Sequence, residues 1–216
     1  MIMWPRSLVT ALAAAVALLV AMAPAPVSAQ TLSEQAQQHV NSAAEQTTSI
    51  LARRDLTPAE QAEAMRGLLH QYFGVDEIGR FVVGRYWRSA SAAEQEEFLK
   101  LFEDFILYGY ANQFREYAGE HVRIQNASAV SEDTALVESV VVRPTAENDP
   151  RVTWRVTRVN GTLQIRDVTV EGVSMVQTQR SDFTATIQQR GGTLAALNDA
   201  LGTKVAQLKA EIGATN

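Results

Sequence analysis

"RVTWRVTRVNGTLQIRDVTV", Arg151 to Val170, decides the fold. Its first nine residues alternate: Val152, Trp154 and Val156 fall on one side, Thr153, Arg155 and Thr157 on the other. A period of two marks a strand with one buried face, because successive side chains leave a pleated backbone in opposite directions. Asn160-Gly161 follows, a dipeptide suited to the two positive-φ positions of a type I′ hairpin turn. Leu163 and Ile165 resume the alternation, and then the phase slips. Asp167 stands where an apolar residue is due, while Val168 and Val170 carry the pattern onward. One extra residue produces such a slip, so a β-bulge is expected at Arg166-Asp167. A competing expectation pairs Asp167 with Arg180, which is in phase with Val176, Phe183 and Ile187; a buried pair there would fix one geometry. The visible phase shift favours the bulge. Arg180 is then expected to precede its helix, with Ser181 as N-cap.

Upstream, "HVRIQ" alternates on Val122 and Ile124, and "ALVESVVVRP" is apolar on both faces. Ser131-Glu132-Asp133 and Pro144 to Pro150 suit hairpin connections, so four sequential strands form an antiparallel meander. On both sides of this block the hydrophobic period becomes 3.6. A polar helix is expected from Leu32 to Ala52, and a second opens on Thr57 as N-cap with Pro58 at its first position and ends at Gly74. "VDEIGRFVVGRYW" reads as a short helix capped by Asp76. Ser91 and Glu94 form a capping box for a long aromatic helix that stops at Gly119. One further helix ends at Gly191-Gly192, and the last carries Leu194, Leu197, Leu201, Val205 and Leu208. The expected fold is α+β: a four-stranded antiparallel meander wrapped by N- and C-terminal helices.

The first residues read differently. Arg6 precedes an apolar run from Leu8 to Ala23, and Val27-Ser28-Ala29 closes the segment with small residues. Residues 1–29 therefore read as a secretory signal cleaved after Ala29; the run is short for the roughly 20 residues of a membrane anchor. Residues 30–216 form a single domain. Removing the leader makes the net charge one unit more negative than the −5 of the whole chain. This acidic balance gives no footprint for nucleic acid. The chain has no cysteine, which excludes disulfides, thiolate metal sites and a cysteine nucleophile.

The usual marks of catalysis are missing. His39, His70 and His121 lack metal-site spacing, and no nucleophile elbow or Ser-x-x-Lys pattern occurs. Glu96-Glu97 and Glu103-Asp104 read as solvated helix faces. No catalytic or metal-binding residue is assigned. Aromatic surface remains: on the long helix Phe98, Phe102, Phe105 and Gly109 form one stripe, and Ile106, Tyr110, Phe114 and Tyr117 a second. This wide arc fits either a filled core or a ligand cavity. Gly109, costly in mid-helix by about 1 kcal/mol, suggests a close approach or a bend.

Two stretches resemble one family. "DVTVEGVSMVQTQRSDFTATIQQRGGTLAALNDAL" (Asp167 to Leu201) and "HQYFGVDEIGRFVVGRYWRSASAAEQEEFLKLFEDFI" (His70 to Ile106) are similar to the MlaC family, the toluene-tolerance auxiliary proteins. The resemblance implies a periplasmic phospholipid carrier with no enzymatic activity and no cofactor beyond its lipid cargo. It shifts the aromatic arc from filled core towards acyl-chain cavity. The lining it implies is Phe81, Val82, Tyr86, Phe102, Phe105, Ile106 and Tyr110 from helices and Val140, Val142, Trp154, Val156 and Ile165 from the sheet, with Met175 at the rim. Arg85 and Arg88 read as solvated arginines or as contacts to a headgroup phosphate. Implied partners are an inner-membrane MCE-type ABC transporter complex and an outer-membrane lipoprotein–porin complex, the carrier maintaining outer-membrane lipid asymmetry. A hopanoid-related cargo and a lipid-free adaptor role are the alternatives.

Overall fold

A computed structural model describes residues 30–114, 119–144 and 148–213. The expected leader, the expected stripe residue Tyr117 and the side chain of Phe114 lie outside the described residues. Helices α1 (Leu32–Leu51), α2 (Pro58–Tyr72), α3 (Val75–Val83), α4 (Arg85–Ser89) and α5 (Ala92–Phe114) precede strands β1 (His121–Ala129), β2 (Thr134–Val142), β3 (Arg151–Val159), β4 (Thr162–Val170) and β5 (Val173–Ser174). Helices α6 (Met175–Gln189) and α7 (Leu194–Gly213) follow.

Three helices begin with the same reciprocal device. Thr31 with Glu34, Thr57 with Glu60, and Ser91 with Glu94 each exchange side-chain and backbone hydrogen bonds across the first turn. Each box satisfies amide donors that a helix start leaves orphaned, worth about 1 kcal/mol. Helix α3 begins otherwise. Asp76 is in its first turn, and Gly74 occupies the cap without a side-chain bond. The entry is fixed from outside: Gly74 N–H donates to the Ile165 carbonyl at 3.1 Å. A Cβ on Gly74 would lie 2.7 Å from Gln164 Oε1, so the chain presses directly on β4.

The sheet runs β1-β2-β3-β4-β5, antiparallel throughout. Asn160 and Gly161 take φ of 49° and 82°, the two left-handed positions expected of the β3–β4 turn. The fifth strand was not expected. Glu171 and Gly172, at φ 48° and 83°, repeat the turn with a residue that carries no turn signature. Backbone bonding holds Glu171 there, its N–H donating to the Arg151 carbonyl at 2.9 Å. The expected bulge is present: Val156 faces Ile165 and Arg155 faces Asp167, leaving Arg166 as the extra residue. A second bulge leaves Gln125 extra in β1.

Register assigns the faces. Ala135, Val137, Val152, Trp154, Val156, Ile165 and Val168 share one side, which α1 and α2 partly cover. Val140 and Val142 are three and five residues beyond Val137 in an unbroken strand and take the opposite side, in phase with Arg151. Because Val140, Val141 and Val142 are apolar at consecutive positions, periodicity could not set this parity.

Buried apolar residues form two packed regions. One lies among α3, α5, α6 and α7, built on Val82, Phe98, Phe102, Phe183, Ile187 and Leu197. The other lies between α1, α2 and the sheet, built on Val40, Tyr72, Val137, Val156 and Ile165. Phe73 packs against both and bridges to Ile165.

Candidate functional site: an apolar helix face that opens along its length

The face of α5 that carries Phe98, Phe102, Phe105, Ile106, Gly109 and Tyr110 follows from a 100° step per residue. Its first half is sealed. Phe98 and Phe102 stack at 5.6 Å, and Phe183 from α6 meets both edge-on at 6.1 and 6.0 Å. Gly79 of α3 admits this close packing: a Cβ there would lie 2.9 Å from Leu99 Cδ2 and 3.2 Å from Phe102 Cδ1. Phe98 and Phe102 are 0% and 1% exposed.

Further along, the same face opens. Phe105 and Ile106 are only partly buried, and a Cβ on Gly109 would meet nothing within 4 Å. Tyr110 is 42% exposed, yet loss of hydration raises its phenol pKa. Helix α5 packs on α7, α2 and α3, whereas α1, α2, α3 and α6 supply the main contacts to the strands. The mid-helix glycine thus borders free space. No described atom makes a close approach to it.

On the sheet, Trp154 is partly buried and its polar edge is satisfied. Its Nε1–H donates to Ser139 Oγ at 2.9 Å, and Ser139 donates to the Val152 carbonyl at 3.1 Å. The indole therefore offers apolar surface with no unmet donor. Met175, also partly buried, opens α6, whose start is held by β4. Asp167 accepts from Ser174 Oγ at 2.7 Å and from Val176 N–H at 3.3 Å, and Ser174 caps Gln177 N–H. The second account of Asp167 is thereby corrected: its partner is a helix N-terminus. Arg180 is likewise relocated. It sits inside α6, capped by Ser174 and not Ser181, with its guanidinium 4.6 Å from the Phe81 ring centroid and against Gly84.

The other expected lining residues divide by packing. Val82, Val156 and Ile165 are fully buried within the two packed regions, as Phe102 is. Tyr86 is partly buried, Phe81 is 39% exposed, and Arg85 and Arg88 are exposed. Val140 and Val142 lie on the sheet face opposite Trp154. Phe183 and Val168, which the sequence pattern placed on apolar faces, were not among the expected lining residues.

Glu103 and Asp104 are not a solvated face. Asp104 is 8% exposed and accepts from Arg66 Nη2 and Lys209 Nζ, both at 2.8 Å; Arg66 also reaches Glu103 and Glu63. Burial alone would raise the Asp104 pKa, but the bonds from Lys209 and Arg66 outweigh it and hold it below the usual value. The cluster fastens α2, α5 and α7 behind the apolar face. Among the described residues no three His, Asp or Glu side chains gather as a metal site, and no helix is long and apolar enough to cross a membrane.

Comparison with known proteins places this arrangement. The family model described as "MlaC protein" matches residues 41–203. The chain is similar to the intermembrane phospholipid transport system binding protein MlaC of Haemophilus influenzae, 23% identical over 59% of this chain and 61% of that protein. That match spans less than two thirds of the relative's length. It is also 23% identical to the toluene tolerance protein ttg2D of Pseudomonas putida, over 68% of each chain. In fold it resembles the phospholipid-binding protein from Ralstonia solanacearum, solved in complex with a phospholipid. The TM-score is 0.70 at 18% identity, over 81% of this chain and 98% of that one.

Proposed function

The chain belongs to the MlaC family, and from that premise we propose that it is a periplasmic phospholipid carrier. The observation that carries this reading is the α5 face that is sealed at Phe98–Phe102 and open at Gly109–Tyr110. An acyl chain needs apolar surface without polar recognition, and each buried CH₂ contributes about 0.8 kcal/mol. In this reading Phe105, Ile106, Gly109 and Tyr110 of α5 line the acyl-chain site, Trp154 and Val168 offer further apolar surface on the sheet, and Met175 adapts to varied contents. The name of the Haemophilus relative supports lipid as cargo. The Ralstonia neighbour supports phospholipid held by this fold.

Carriage requires no bond to be made or broken. Lipid enters from one membrane complex and leaves to another because the two sites differ in affinity. In this reading residues 1–29 direct export. The donor and acceptor are an inner-membrane MCE-type ABC complex and an outer-membrane lipoprotein–porin complex, and the traffic maintains outer-membrane lipid asymmetry. The test is solvent extraction and native mass spectrometry of purified protein before and after incubation with phospholipid vesicles. One stoichiometric phospholipid is expected, and protein that stays empty under both conditions would identify a lipid-free adaptor. A recovered triterpenoid would instead show a hopanoid-type cargo.

A further inference from the structure

The corner between α3 and α4 collects more positive charge than a headgroup contact by Arg85 and Arg88 accounts for. Residues 80–88, "RFVVGRYWR", hold three arginines and no acid in a chain of net charge −5. Arg180 joins them from α6. Each of three guanidiniums lies over an aromatic ring: Arg80 is 5.4 Å from the Trp87 centroid, Arg85 is 5.0 Å from Tyr86, and Arg180 is 4.6 Å from Phe81. Arg85 Nη2 also donates to Tyr86 Oη at 3.0 Å. No carboxylate among the described residues lies within 4 Å of Arg80, Arg85, Arg88 or Arg180. Glu77, one turn before Arg80, reaches Arg166 at 3.4 Å instead.

Stacking changes what these arginines offer. A ring beside a guanidinium restricts its orientation, and the guanidinium fork matches a carboxylate in two-point contact. Partial pre-ordering lowers the entropy lost when a partner binds. The apolar side of α3, Val75, Gly79, Val82 and Val83, is already buried. Phe81, beneath Arg180, stays 39% exposed, so the corner joins its charge to one apolar ring, less apolar surface than an interfacial membrane helix inserts. The acidic remainder of the chain would repel an anionic bilayer but not a local acidic protein face.

We propose that Arg80, Arg85, Arg88 and Arg180 form a docking surface for a carboxylate-rich face of a partner protein. The surface gives encounter rate and orientation more than raw affinity. It stands apart from the lipid reading, since its test needs no lipid. The probe is a Glu/Asp-rich peptide of about a dozen residues, titrated into purified protein by calorimetry and by arginine Nε–Hε NMR. Vesicles of phosphatidylglycerol and of phosphatidylcholine form parallel arms. The expected result is peptide binding that shifts the Arg80, Arg85 and Arg180 resonances and weakens as salt rises. Affinity should fall at least tenfold in the Arg85→Glu/Arg88→Glu variant while circular dichroism is unchanged, both residues being exposed. Binding to phosphatidylglycerol vesicles without peptide binding would overturn the proposal in favour of a membrane surface. No peptide binding, or equal binding by the double variant, would also overturn it.

Discussion

Gly79 lies against the ring of Phe102, where an added Cβ would stand 3.2 Å from Cδ1; Gly109, on the same face of α5, has nothing within 4 Å. Two helical glycines thus mark the closed and open ends of one apolar surface. Alanine should separate them. At Gly109 it should stabilise by up to about 1 kcal/mol, the helix-propensity gain. At Gly79 overpacking exceeds that gain, for a net loss of about 1 kcal/mol. Urea unfolding of delipidated protein measures both, and equal shifts would mean that the contrast is not real in solution.

Ile106→Trp should fill the open end. Bound phospholipid, measured per mole of protein, is expected to fall by at least half while the thermal transition remains cooperative. Val142→Trp should leave occupancy unchanged, because register places Val142 on the other face from Trp154. If the two variants lose lipid alike, the cavity reaches the sheet face opposite Trp154, where Val140 is buried.

Asp167 and Ser174 jointly cap α6. Asp167→Ala should cost about 1 kcal/mol, the usual value of a lost N-cap. Hydrogen exchange should speed up at Val176 before it does at Phe183. A uniform change along α6 would show that Asp167 acts on the strand instead.

The response to acid should come in two stages. Burial lowers the His39 pKa from 6.5, outweighing the opposing effect of the Tyr72 carbonyl that the ring contacts at 3.1 Å. The fold favours the neutral ring, so this stability is complete above 6.5 and lost as pH falls through the lower folded value. His39→Gln should flatten that slope. Asp104, held below 3.8, contributes stability above 3.8 that is lost at still lower pH. Asp104→Asn should remove the second stage and cost about 2 kcal/mol at neutral pH, since Arg66 and Lys209 lose a shared anion. Denaturant midpoints across pH resolve the two.

Much of this was legible where local rules and tertiary packing agree. The Asn160-Gly161 turn, the slip at Arg166 and the Ser91–Glu94 box are each written in a few adjacent residues. What stayed hidden depends on distant partners. Glu171 adopts a left-handed conformation because Arg151 receives it, and Gly74 caps α3 because Ile165 does. Arg180 sits among apolar neighbours because Phe81 offers a ring face. The site divided in the same way: the α5 stripe followed from periodicity, but only packing shows where it stops being core.

The contact of Gly74 with Ile165 has a last consequence. An open antiparallel sheet is exposed to sheet-to-sheet fusion between copies, for which a bare strand edge is the template. Along β4 that edge is already occupied, by Gly74 at one point and by β5 at another. The far edge, β1, is interrupted by the bulge at Gln125 and lined with Gln125, Asn126 and Ser128. Both margins of the sheet are therefore poor seeds for aggregation, whether or not anything fills the interior.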